Sequence, residues 1–405
     1  MRDIVFYLHM HQPKRVRPYT IFDIGERHDY FASYDEKTDN RAIFNKVAHK
    51  SYHPMIALLK RLVDEVPNFS VNLSLSGVFL EQCEEYDPAL LNELKTLIAT
   101  GKVELAAETY FHSLAFFYSQ FEFEKQVKMH EEVLDKHFGV KPTIFRNTEL
   151  AYNNDLGRWV EEAGYKAVLT EGWDPVLNWR SSHYLYSPMN TTKTALFLKD
   201  YRLSDDLAFR FSSREWSEWP LTAEKYRGWI DALPEEEKLI NLFMDFETFG
   251  EHQWADTGIF DFIDGFFRTW CSSGNRAATF TEALATHRIH EAVDMPATVT
   301  WADNERDLSA WVGNAMQKEA VHALYGLEDS VLRTGDDELI HDWRLLQTSD
   351  SLYYLSTKWF DDGNVHAYFS PYSSPYDGFL CYLNAIRDVR YRVFEHGERR
   401  LTDHG

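Results

Sequence analysis

The sequence predicts an α/β fold: a parallel sheet with helical crossovers, followed by an all-α region. Three observations carry this. Up to about residue 293, short apolar runs alternate with amphipathic stretches roughly seven times, the grammar of parallel strands joined by helices. Polar residues collect just after the apolar runs, where such folds build their sites, whether the sheet closes as a barrel or stays open and doubly wound. Beyond that point only helical periodicity remains, which divides the chain into residues 1–293 and a helical domain of residues 294–405.

Taken in order, residues 4–8 form a continuous apolar run, a buried strand that ends in His9-Met-His11-Gln12-Pro13. Residues 23–50 are polar and aperiodic and read as a long excursion loop. Residues 55–66 are amphipathic helix, 69–75 alternate as a strand, and 88–100 form a helix with Pro near its start and Gly101 beyond its end. Strands at 103–107, 143–146 and 166–170 alternate with helices at 121–138 and 155–163, each helix stopped by a glycine. Shorter strands are predicted at 184–186 and 195–198. A helix at 222–233 precedes the strand 239–245, and helices at 259–270 and 280–290 follow it. The helical domain comprises 309–325, 338–357 and 374–395.

At 44 % hydrophobic and 15 % aromatic, the 405 residues supply a large core and rings to spare. The net charge of −22 repels polyphosphates and anionic membranes, so neither nucleic acid nor a membrane is an expected partner. Cys83, Cys271 and Cys381 are widely spaced and form no disulfide or zinc-knuckle pattern, which favours a reducing compartment. No run approaches the ~20 apolar residues of a membrane span, and a cytoplasmic location is expected.

The densest site candidate lies where the strand 239–245 ends: Asp245, Glu247, Gly250, Glu251, His252 and Trp254 follow within ten residues. A carboxylate at the mouth of an apolar strand is costly to desolvate unless it is paired or used. The ends of the other strands add His9, His11, Gln12, Glu104, His112, Glu149 and Glu171. Two chemistries fit this set. In one, two carboxylates flank a glycosidic bond, one attacking the anomeric carbon and the other protonating the leaving oxygen. In the other, His9 and His11, which share a strand face, join Asp245 or His252 around a divalent metal that activates water. Trp254, Trp301 and Trp311 are read first as packing rings and only second as sugar platforms.

His-Gln-Pro at 11–13, Gly-Lys-Val-Glu-Leu at 101–105, Phe-Arg-Asn-Thr-Glu at 145–149 and Met-Asp-Phe-Glu-Thr-Phe-Gly-Glu-His at 244–252 stand in the order of motifs in a known family. With Trp-Val-Gly-Asn-Ala-Met-Gln at 311–317 and Leu-Gln-Thr-Ser-Asp at 346–350, the chain resembles glycoside hydrolase family 57, and its α-amylase-type members in particular. The resemblance implies an incomplete (β/α)7 barrel with a C-terminal helical domain that completes the active site. It implies a retaining enzyme acting on α-1,4-glucans, with Glu149 as nucleophile and Asp245 as general acid/base. His9, His11, Gln12, Glu104, His112, Glu247, His252, Trp311, Gln347 and Asp350 are then expected to bind substrate. No cofactor and no metal is implied. A glucanotransferase using the same pair is the alternative within the family; outside it stand a metal-dependent hydrolase and a non-catalytic glucan-binding protein. Asp245 must hold a proton to act as acid, so its pKa is expected to be raised.

Overall fold

In the computed structural model, which describes residues 1–358 and 365–402, the apolar run after Arg2 is the buried strand β1 (Asp3–Met10). It pairs in parallel with β2 (Val71–Leu75) and β8 (Leu239–Asp245). β3 (Val103–Leu105) continues beyond β2, and a bridge between Ala107 and Phe145 joins it to β4 (Ile144–Phe145). β5 (Ala167–Glu171) follows, then β7 (Ala195–Lys199). The last seam is made by single bonds: Asp200 N donates to Asn241 O at 2.9 Å, and Asn241 Nδ2 donates to Leu198 O at 2.8 Å. Strands 1, 2, 3, 4, 5, 7 and 8 thus make the incomplete (β/α)7 barrel expected from the sequence. The short β9 (Arg276–Ala277) wedges between the N-terminal ends of β1 and β2. β6 (Leu185–Pro188) and β10 (Ile289–Val293) extend the sheet beside β7.

Strand alternation decides which side chains fill the barrel. Val5 and Tyr7 of β1, Ile144 of β4, Ala167 and Leu169 of β5, Ala195 and Phe197 of β7, and Leu239 and Phe243 of β8 form one interior cluster, plugged from below by Phe280. The alternate residues face the helices: Phe6 meets Phe267 with ring centroids 4.9 Å apart. Continuing each inward row by two residues reaches the C-terminal mouth, where the rows end in charge.

The residues group into two compact units. The barrel unit comprises residues 1–11, 45–108 and 128–301. The helical unit takes the described residues from 302 onward together with 12–44 and 109–127, so it is assembled from three stretches rather than from residues 294–405 alone. Its core gathers Tyr19, Tyr30, Leu114, Trp311, Leu324, Trp343 and Ile386. Buried Asp388, on the helix Pro375–Thr402, accepts from Gly25 N at 2.7 Å and is bonded to His28 Nδ1 at 2.7 Å and to the Tyr30 hydroxyl. Glu122, fully buried, receives Arg344 through two bonds of 2.8 and 3.1 Å.

Three predicted helices are shorter or divided. The 280–290 helix stops at Thr286, and Ile289–Val293 is strand. The 309–325 helix breaks at Gly313, and Asn314 then caps Ala315–Tyr325 through a reciprocal box with Gln317. The 338–357 helix is interrupted by Leu346, Gln347 and Thr348. A helix over Asn40–Val47 lies inside the predicted excursion loop. Among the described residues, no helix is long and apolar enough to cross a membrane.

Candidate active site

The inward rows end in ionisable side chains on six strands: His9, Glu108 just past β3, Arg146 just past β4, Glu171, Lys199 and Asp245. They neutralise one another around the mouth. His9 Nε2 lies 3.1 Å from Glu108 Oε2, and Arg146 Nη1 lies 3.6 Å from the same oxygen. Lys199 Nζ donates to Glu171 Oε2 at 3.3 Å. His9 Nδ1 lies 3.6 Å from Asp245 Oδ1. Glu108 and Arg146 are wholly buried, where unpaired charge costs several kcal/mol, so their proximity is a condition of folding. His130 steadies this pair: Glu108 N donates to its Nδ1 at 3.2 Å, which leaves Nε2 to donate to Leu75 O at 2.8 Å.

Over the ring of charges lies Trp301. Its indole is 5.2 Å from the Arg146 guanidinium carbon and 5.6 Å from Lys199 Nζ, both within cation–π range, and 6.4 Å from the His9 ring. Trp301 Nε1 donates to Glu149 Oε2 at 2.6 Å, and Trp301 N donates to Glu149 O at 3.2 Å. Glu149 occupies the left-handed region at φ 59°, as does Leu150 at φ 51°. A non-glycine residue held there costs about 1–3 kcal/mol and persists only where its surroundings over-determine it. The double grip of Trp301 is such a constraint, and it fixes the direction of the Glu149 carboxylate.

The β8 exit turns sharply beneath Lys50. Gly250 has φ +110°, and a Cβ there would stand 2.0 Å from Lys50 O, so the turn admits no side chain. Glu247 is buried and hydrogen-bonded by the Tyr52 hydroxyl. Burial, with the Asp245 charge beside it, pushes the Glu247 pKa up to about 8. Asp245 goes the other way, against expectation. Desolvation at the barrel mouth raises its pKa, but the hydrogen bond and charge of His9, with the charge of Arg146, outweigh this and hold the carboxyl below its usual range. The proton therefore rests on Glu247 rather than on Asp245 near neutrality. Burial also lowers the His252 pKa, leaving a neutral imidazole able to donate and accept.

One measurable result follows. The folded protein keeps the Glu247 proton up to about pH 8, whereas the unfolded chain releases it near 4.5. Stability therefore falls as pH rises through that window. In Glu247→Gln this loss is removed, so the drop in Tm between pH 5 and pH 8.5 should shrink. An undiminished drop would show that Glu247 is not the group responsible.

Of the residues singled out from sequence, His9, His11, Glu149, Asp245, Glu247 and His252 belong to the barrel unit. His9 and His11 stack with centroids 6.1 Å apart, and His11 Nδ1 is held by Ser76 Oγ at 2.7 Å. Glu104 does not join them. Both its oxygens bind Thr281, to N at 2.8 Å and to Oγ1 at 2.6 Å. It shares the inward face with Glu108 but lies four residues earlier, roughly 13 Å of extended chain nearer the bottom. Glu108, Arg146 and Lys199 were not foreseen; continuing the strand alternation by one further step marks all three.

Gln12, His112, Trp311, Gln347 and Asp350 belong to the helical unit. Trp311 is 1 % exposed within that unit's core, a packing ring rather than an open platform. Gln347, also buried, accepts from Gln126 Nε2 at 2.8 Å, and Asp350 Oδ2 accepts from Thr348 Oγ1 at 3.0 Å. His112 has φ 51°, and its carbonyl accepts from Ser349 N at 2.9 Å. His9 Nε2 and Glu108 Oε2, 3.1 Å apart, belong to a group of side chains that could hold a metal ion.

Known proteins share this architecture. A "Putative alpha-amylase" of Methanocaldococcus jannaschii is 39 % identical over 97 % of this chain and 85 % of its own length. Among solved structures, a GH57-type branching enzyme of Pyrococcus horikoshii superposes with a TM-score of 0.68 at 15 % identity, covering 98 % of this chain and 88 % of that one. A 4-alpha-glucanotransferase of Thermococcus litoralis gives 0.62 at 18 % identity over 87 % of this chain, which spans 56 % of that enzyme's length. Residues 5–296 match the family Glycosyl hydrolase family 57. With strand order, matched residues and a relative of near-equal span in agreement, the chain belongs to glycosyl hydrolase family 57.

Proposed function

We propose that the protein is a retaining glycosidase of the α-amylase type, cleaving α-1,4-glucans by double displacement with Glu149 as nucleophile and Asp245 as acid/base. The observation that supports it best is the Trp301 grip, which aims a conformationally strained Glu149 carboxylate at the mouth of a barrel whose β8 ends in Asp245. In the first step Glu149 attacks the anomeric carbon and Asp245 gives its proton to the glycosidic oxygen, so the chain beyond the bond departs. In the second, Asp245 takes a proton from water, which attacks the same carbon and frees Glu149. The two carboxyl groups of such a pair stand ~5–5.5 Å apart.

Asp245 must gain a proton before the first step. Its side chain is 44 % exposed, and a neutral sugar covering it removes water from the anion and raises its pKa. Glu247 and the neutral His252 offer hydrogen bonds to sugar hydroxyls, and His9 and His11 flank them. The glucan specificity rests on relatives named as amylases and a glucanotransferase.

Incubation with a maltooligosaccharide series tests the reading. Hydrolysis creates new reducing ends. Disproportionation to longer chains without new reducing ends would favour the glucanotransferase alternative, for which a relative of that name, 25 % identical over 149 residues, is the ground. Activity lost to a chelator and restored by zinc would overturn the glycosidase reading.

A further inference from the structure

A cavity of about 250 Å³ opens between the segments that leave β5 and β7, outside the ring of charges. Its floor is set by a close approach of backbone. Gly172 N donates to Lys199 O at 3.1 Å, and a Cβ on Gly172 would stand 2.3 Å from that oxygen and 3.0 Å from Ser182 Cβ. The residues just before the floor, Glu171 and Lys199, are the ion pair under Trp301. The cavity and the catalytic mouth therefore share two strands.

Its rim combines charge with an open aromatic face, and every cation there is matched. Arg180 Nε donates to Glu291 at 2.6 Å, and Arg202 bonds to Asp174, which also accepts from the Tyr201 hydroxyl at 3.0 Å. His183 has a carboxylate at each ring nitrogen, Asp200 at 2.6 Å and Glu237 at 2.5 Å. Such a rim has no net attraction for an anion, yet it is dense in directional donors and acceptors. Beside it Trp179 is 76 % exposed, a large indole for a chain to leave in water, with the Arg180 guanidinium 4.9 Å from its ring. A neutral, hydroxyl-rich ring that stacks on the indole and bonds to the rim meets both features.

We propose that this cavity is a second glucan-binding pocket, in which a glucosyl unit stacks on Trp179 and bonds to the rim of Asp174, Tyr201 and Arg202. The choice of an α-glucan among neutral polyols rests on the proposed function. The pocket holds a part of the chain remote from the scissile bond, so it serves long substrates and leaves short ones untouched.

Affinity electrophoresis through glycogen tests this on the full chain, with Glu149→Ala as background so that the gel is not digested. The background protein should be retarded. Adding Trp179→Ala should weaken retardation roughly three- to tenfold, the range of one aromatic stacking contact, with Trp179→Phe recovering part of it and Arg202→Ala losing a similar share. In active enzyme, Trp179→Ala should raise KM for glycogen and maltoheptaose while kcat/KM on a short aryl maltoside stays at its wild-type value. No retardation of the background protein, unchanged retardation in Trp179→Ala, or equal losses on long and short substrates would each overturn the pocket. Retardation that depends on Trp179 in a protein that cleaves no glucan would instead uphold the pocket and sink the catalytic reading.

Discussion

Glu149→Ala is expected to stop turnover on every maltooligosaccharide, by about 10⁴-fold or more, because nothing remains to attack the anomeric carbon. Asp245→Ala should fail as completely on natural glucans, whose leaving oxygen needs a proton. It should still react with an α-glucosyl fluoride, whose leaving group departs unaided, and then stall as the β-linked glycosyl-enzyme. Azide tells the two apart. In Asp245→Ala it enters from the side the carboxyl vacated and displaces Glu149, giving the α-azide with overall retention. In Glu149→Ala it occupies the nucleophile's space and displaces fluoride directly, giving the inverted β-azide. Product anomers read by proton NMR decide the roles, and the opposite pairing would exchange them.

Arg344→Leu is expected to cost about 3–5 kcal/mol of stability, the consequence of leaving fully buried Glu122 without its cation. Among the described residues, Gln126 Nε2, at 3.0 Å, would remain as a side-chain donor to that carboxylate. The double variant Glu122→Leu/Arg344→Leu should regain most of the loss, since an apolar pair needs no desolvation of charge. Urea denaturation of wild type, single and double variants gives the comparison. A single variant within about 1 kcal/mol of wild type would mean that water reaches Glu122. The pair ties residues 109–127 to the C-terminal helices, so the loss should appear as unfolding of the helical unit.

Much of the barrel was legible because its strands read as apolar runs or as alternating stretches, and their register follows from period-two alternation. The same alternation places His9 after Val5 and Tyr7, and Asp245 after Phe243, without any reference to function. Arg146 escaped notice because β4 pairs over only two residues, too short to show which side chains face inward. Lys199 and Glu108 escaped because a lone charge at a strand end has an ordinary solvated reading, and their partners lie 28 and 99 residues away in sequence. Glu104 shares the inward face of the mouth residues but sits at a lower level, bonded to Thr281. The direction of the Asp245 shift failed for a related reason. Burial can be guessed from a strand, but His9 beside Asp245 is a product of β1 pairing with β8. Trp311 shows the limit for aromatic rings, since core and platform tryptophans occupy the same helical spacing.

The charges at the barrel mouth also constrain how such a sequence drifts. Glu108 leans on Arg146 and His9, and Glu171 on Lys199, with little water to take over from a missing member. A library that randomises one of these positions at a time returns the parental residue. Randomising 108 with 146, or 171 with 199, opens routes through neutral pairs. Substitutions at the mouth are thus expected to be tolerated in couples rather than singly. A change of specificity on this barrel is therefore expected to be easier to engineer in its loops than in its charged rim.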